Sequence, residues 1–226
     1  MDLKKFPTGS TGKAVRSRRC AILKLDDLNT FHLDVFKEIG NIGAGNAATA
    51  LANLIGKKVG MDVPQAGVVA LEDLITLVGN EEDEIICIHQ AVSGPAPCGI
   101  MFILAEKSAV YLADILLSNR SVADSQFDEL EESLFLEIGN ILSGSFLSAF
   151  SQVTNLVFNL SVPVLARDML GAVLSSALLE SGYYADKVLV VETRFFDATR
   201  SIKGHFFILP ELEALDKILN GLGINI

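Results

Sequence analysis

Apolar residues at positions 31, 35, 39 and 42 (Phe31, Val35, Ile39, Ile42) recur at three- and four-residue spacing, which predicts one long helix from about Thr30 to Ile55. Asp26, Asp27, Asn29 and Thr30 are candidate caps at its start, and Gly56 followed by Lys57 and Lys58 marks its end. Glycines at 40, 43 and 45 cost roughly 1 kcal/mol each against alanine inside a helix, so they imply close packing or backbone approach. Residues 61–64 then read as a short extended piece ending in Pro64, and 66–78 as a second, shorter helix. Glu81 to Glu84 mark a turn. Ile85–Val92 and Gly99–Leu104 read as strands joined through Pro95 and Pro97, closed by a helix over Ser108–Leu117.

The second half repeats this order. The pattern predicts a long helix from Asp128 to about Val153, an extended piece over Val162–Leu165 and a short helix over Met169–Leu179. Strands follow at Val188–Phe196 and Gly204–Leu209, then a final helix at Glu211–Leu219. Strands joined by short turns pair antiparallel. The expected fold is therefore a single α/β domain with a pseudo-twofold internal repeat, a largely antiparallel sheet packed with long helices. Its two repeats span about 26–120 and 125–222, preceded by a basic, flexible segment over 1–25.

The duplication is visible in the letters as well as in the pattern. Glu-Ile-Gly-Asn-Ile occurs at Glu38–Ile42 and again at Glu137–Ile141, displaced by 99 residues. Asp34, Glu38, Asn41 and Pro64 in the first copy match Ser133, Glu137, Asn140 and Pro163 in the second with identical gaps. On a helix, positions i, i+4 and i+7 lie within about 60° of one another, so Asp34, Glu38 and Asn41 form one polar stripe. Val35, Phe36, Ile39 and Ile42 should face the core behind it, as Leu134, Phe135, Ile138 and Ile141 should in the second copy. A solvated face accepts any polar residue, and neighbours such as Lys37 and Leu136 differ between the copies. Retention of glutamate and asparagine in both copies points to chemistry.

Composition narrows that chemistry. The chain of 226 residues is half apolar, ample for a core, and its formal charge of −10 disfavours nucleic acid, whose phosphates need a basic surface. The first twenty residues carry Lys4, Lys5, Lys13, Arg16, Arg18 and Arg19 without an apolar signal region, and no apolar run reaches membrane-spanning length. Cys20, Cys87 and Cys98 form no paired motif, and His32, His89 and His205 no zinc spacing. The expectation is a cytoplasmic protein with no cofactor or metal of its own, no membrane insertion, and a protein partner.

Asparagine donates and accepts hydrogen bonds without ionising, so it suits orienting a water molecule rather than deprotonating it. Glutamate supplies an anchor for a cation. In-line attack of water on a phosphoryl group needs little beyond positioning and electrostatics, and this pair is adequate to it. The run Gly40-Asn-Ile-Gly-Ala-Gly45 is a weak nucleotide-binding signal, because its glycines lie inside a helix and Leu142 replaces Gly43 in the second copy. Paired-carboxylate glycoside hydrolysis would need Glu38 and Glu137 about 5–10 Å apart. Cys87 and Cys98 read as buried apolar residues and not as nucleophiles.

The spacing Asp or Ser, three residues, Glu, two residues, Asn, twenty-two residues, Pro, present twice, resembles the CheC family of chemotaxis response-regulator phosphatases over roughly residues 26–221. The resemblance implies that Asn41 and Asn140 position the water that hydrolyses the aspartyl phosphate of a CheY-type receiver. It also implies that Glu38 and Glu137 engage the receiver's active-site lysine, with Asp34, Ser133, Pro64 and Pro163 shaping the two sites. The phosphate and its Mg2+ would belong to the receiver. The resemblance further implies binding to the receptor deamidase CheD, and two sites in one chain make a monomer the simpler expectation. A non-catalytic adaptor that docks a receiver or CheD is the alternative.

Overall fold

The computed structural model describes residues 25–56, 58–117, 129–180, 186–196, 201–211 and 214–224. The basic N-terminal segment and Cys20 lie outside the described residues. After a 3-10 turn at Leu25–Asp27 come α1 (Thr30–Ile55), β1 (Gly60–Ala70), a turn at Leu71–Asp73, and α2 (Leu74–Val78). The hairpin β2 (Glu84–Ser93) and β3 (Cys98–Ala105) leads into α3 (Glu106–Leu117). The second half follows with α4 (Glu129–Thr154), β4 (Asn159–Leu160), β5 (Val164–Met169), α5 (Leu170–Glu180), β6 (Lys187–Phe196), β7 (Ser201–Pro210) and α6 (Ala214–Gly221).

Of the candidate caps, Asn29 serves α1. Its side chain accepts from the His32 amide while the His32 ring accepts from the Asn29 amide, a reciprocal capping box. Gly56 closes the helix in the left-handed region at φ 68°.

The strands form one antiparallel sheet in the order β1-β6-β7-β3-β2, with β4 and β5 both on the outer side of β2. A pseudo-twofold axis therefore runs between β7 and β3. The halves exchange their outer strands: β1 of the first pairs with β6 of the second, and β4 and β5 of the second pair with β2 of the first. One face of the sheet, with Ile86, Ile88, Leu189, Val191 and Phe206, shares a core with α1, α4, α3 and α6. The opposite face, with Ile85, Cys87, Val188 and Val190, packs under Leu74 of α2 and Leu170, Val173 and Leu174 of α5.

Three expectations are corrected. Residues 66–70 are strand, and only 71–78 are helical. Ala66, Val68 and Val69 pair with β6, and a short apolar run does not by itself distinguish strand from helix. Ile42, 40 % exposed, does not face the core. The buried stripe of α1 is instead Phe36, Ile39, Gly40, Gly43, Ala44, Ala47 and Leu51, because small residues let α1 lie close to its neighbours. Finally, α4 is long and apolar enough in composition to cross a membrane, although no unbroken apolar run announces it. Its Leu134, Phe135, Ile138, Leu142 and Phe146 are buried within the core.

Candidate active site

The duplicated pentapeptide divides its labour by helical phase. Ile39 and Ile138 are buried, and the following glycines set the helices down on the sheet. A Cβ at Gly139 would stand 2.3 Å from Ile88 Cγ2 on β2, and one at Gly40 would meet Val63 at 3.3 Å and Val191 at 3.4 Å. Ile88 and Val191 occupy corresponding places in β2 and β6, so each helix rests on a strand of the other half. The long helices meet at Gly43, where a Cβ would come within 3.0 Å of the Phe146 Cα. Gly45 and Gly144 face open space, so the close packing inferred for all the glycines holds at 40, 43 and 139 but not at 45. With isoleucine and glycine turned inward, Glu38 and Glu137 are left exposed on the outer side, beside Asp34 and Ser133.

The two asparagines differ. Asn41 is half-buried, and its carboxamide grips the backbone of Val63: the Val63 amide donates to Oδ1 at 2.9 Å and Nδ2 donates to the Val63 carbonyl at 3.3 Å. Asn140 is exposed and makes no side-chain hydrogen bond to another described residue. It lies in an open groove of about 530 Å3 lined by Ser133, Leu136 and Glu137 of α4 and by Leu160, Ser161, Val162 and Pro163. Thus Ser133, Glu137, Asn140 and Pro163 come together around one accessible space. In the first copy Pro64 follows Val63 in β1, and the asparagine is already occupied.

The cause lies in the segment each asparagine faces. Both halves carry a bulge there: Val63 and Pro64 stand opposite Thr193 alone, between the pairs Asp62–Arg194 and Gln65–Glu192. In the second half Val162 and Pro163 interrupt the edge between β4 and β5. Val63 is 1 % exposed and tucked under Gly40, whereas Val162 is 82 % exposed. Beneath the first bulge, Thr193 turns its hydroxyl to the Gly204 carbonyl at 3.0 Å. Beneath the second, the longer Gln90 is buried and donates to the Ser161 carbonyl at 3.0 Å, and the Ser161 hydroxyl accepts from the Ala91 amide at 2.9 Å. These bonds hold Ser161 to the sheet and leave Val162 outside it. The spacing of the motif carried no sign of Gln90, Ser161, Asp62 or Arg194; only the strand pairing identifies them.

Cys87, Cys98 and His205 lie within the sheet, on β2, β3 and β7. Cys87 and Cys98 are buried, and burial pushes both thiols up to about 12, with Glu211 adding to the effect at Cys98. They are packing residues, as expected. Burial, reinforced by Lys203, lowers His205 to about 4, so its ring is neutral at physiological pH. Among the described residues no group of three or more His, Cys, Asp or Glu is placed to hold a metal ion. What the second copy offers is a carboxylate and a free carboxamide one turn apart on a rigid helix, open to a macromolecular surface.

Residues 31–68 and 130–167 each match the CheC-like family, one stretch in each half. The CheY-P phosphatase CheC of Bacillus subtilis is 32 % identical over 198 residues, covering 86 % of this chain and 95 % of that protein. The flagellar motor switch phosphatase FliY of the same organism is 25 % identical over 143 residues, 63 % of this chain and 37 % of that protein. Among solved structures, Thermotoga maritima FliY superposes with a TM-score of 0.72 at 20 % identity, covering 87 % of this chain and 98 % of that one.

Proposed function

The chain belongs to the CheC-like family, and on that premise we propose that it is a protein aspartyl-phosphate phosphatase acting on a phosphorylated CheY-type receiver in chemotaxis signalling. The observation that carries this reading is the unoccupied Asn140 carboxamide beside Glu137 in an open groove. A receiver seated there presents its aspartyl phosphate, with its own Mg2+, to α4. The Asn140 carbonyl oxygen accepts a hydrogen bond from a water and orients the water oxygen in line with the phosphorus. Glu137 pairs with the receiver's active-site lysine and fixes the approach. Ser133 and Pro163 shape the walls of the groove. The carboxamide removes no proton, so the contribution is alignment.

In the first copy, Glu38 and Asp34 remain exposed for docking while Asn41 is engaged with Val63. That occupancy favours a second reading for this copy alone: a surface that binds a receiver, or the deamidase CheD, without hydrolysing anything. The protein works in the cytoplasm, where its receiver resides, and one monomer presents both copies.

Decay of a phosphorylated chemotaxis receiver, followed with and without the protein, tests the proposal. Wild type should accelerate decay, Asn140→Ala should remove most of the acceleration, and Asn41→Ala/Asn140→Ala all of it, with every variant folded. A double variant that still accelerates decay as wild type does would sink the assignment. Receiver binding without acceleration by wild type would favour the adaptor.

A further inference from the structure

We propose that the cross-strand pairs Asp62–Arg194 and Gln65–Glu192 are positioning residues that hold the first copy of the motif shut, and that their loss from the second half is what opens Asn140. This rests on the phosphatase reading for its catalytic consequence only. Asp62 and Arg194 stand directly opposite one another on β1 and β6, as do Gln65 and Glu192. They bracket the bulge that carries Val63 and Pro64. Arg194 forms a two-pronged ion pair with Asp62, its Nε donating at 2.9 Å, and its guanidinium lies over the Phe196 ring. Gln65 Nε2 donates to Glu192 at 3.0 Å, and Lys203 holds the same carboxylate at 2.7 Å. By strand alternation these side chains lie on the face away from α1.

The bulge is thereby gripped from both sides of the sheet. The bridges pin its two ends from one face, and Asn41 grips its middle from the other. At the corresponding places the second half has Ser161 for Asp62, Ala91 for Arg194, Val164 for Gln65 and His89 for Glu192, so neither bridge can form in the same way. Freed of these bridges, and with Ser161 held to the sheet by Gln90 and Ala91, the bulge turns Val162 outward and Asn140 is left without a backbone partner. The Asn41 carboxamide can reach a receiver only when Val63 lets go, so whatever loosens the bridges raises the fraction of the first copy that is competent.

The Val63 amide reports the latch directly, without reference to catalysis. Its hydrogen exchange should be slow in wild type and faster by about threefold in Arg194→Ala, the effect of one partly exposed ion pair. Arg194→Lys, which keeps the charge but not the fork, should fall between them. The Val68 and Val190 amides, farther along the same strand pair, should keep their wild-type rates. An unchanged Val63 rate, or equal acceleration at Val68 and Val190, would overturn the latch. In the Asn140→Ala background, where only the first copy remains, Arg194→Ala should raise receiver dephosphorylation by a similar factor, and no rise alongside faster Val63 exchange would overturn its control of Asn41. If wild type itself never accelerates receiver decay, the phosphatase reading fails while the exchange result still decides the latch.

Discussion

Val63 and Val162 hold the same place in the duplicated sequence, yet one is sealed under α1 and the other projects into solvent. The glutamate, glycine, asparagine and proline around them are identical. The residues that differ are those opposite and beside the bulge: Thr193 and Arg194 under the first, Gln90 and Ala91 under the second. A repeated motif therefore yields a repeated scaffold but not a repeated site. Whether the asparagine is bound to the protein's own backbone or left open is settled by neighbours outside the motif.

The largest contrast should appear in catalysis. If Asn140 is the water-positioning group, Asn140→Ala should slow receiver dephosphorylation about 10²–10³-fold, the range for removing one aligned hydrogen-bonding group, while Asn41→Ala changes it little. The same two substitutions should reverse their order in thermal or denaturant unfolding. Asn41→Ala leaves the Val63 backbone groups unpaired and should cost about 1–3 kcal/mol, whereas Asn140→Ala should cost almost nothing. Equal effects of the two in both assays would erase the asymmetry.

A second contrast concerns pH. His205 stands opposite Glu192, and in the other half Met101 stands in the corresponding place opposite His89. The folded value of about 4 for His205 lies below its ordinary 6.5, so the unfolded chain binds more protons between those limits and stability rises with pH there. The contribution is fully present above about pH 6.5 and is lost as the pH falls toward 4, about 3 kcal/mol in all. His205→Met should flatten the pH dependence of unfolding across that window. A wild-type stability independent of pH there would contradict burial as the cause.

Smaller effects sharpen the comparison of the two helix seats. Gly139→Ala forces a methyl against the branched Ile88 side chain and should destabilise by about 1–2 kcal/mol after the gain in helix propensity. Gly40→Ala meets only the tips of Val63 and Val191, and should be near neutral in the same unfolding assay. Gly45→Ala and Gly144→Ala point into open space and should each stabilise by up to about 1 kcal/mol, equally in both halves.

The long helices were legible because their apolar period runs over many turns and is reinforced by caps: α1 begins and ends at Thr30 and Ile55, as its pattern predicts. The first hairpin was legible from β-branched runs broken by Pro95 and Pro97. The stretch over 66–70 was not, because Ala66, Val68 and Val69 suit either period and only pairing with β6 resolves them. Ile42 misled for a related reason. Apolar character alone does not say which side of a helix is covered when alanines and glycines make the closer contact.

The amino-acid sequence by itself determined the duplication, the helices that carry it, and the polar stripe that holds each glutamate and asparagine, since these follow from local periodicity and from letters repeated 99 residues apart. Only the tertiary structure decided that the halves exchange outer strands, so that each motif helix rests on the other half's sheet. It also decided that one asparagine is engaged and the other free. That outcome depends on side chains more than a hundred residues away, Arg194 and Glu192 opposite Asp62 and Gln65, whose meeting is a property of strand register and leaves no trace in local pattern.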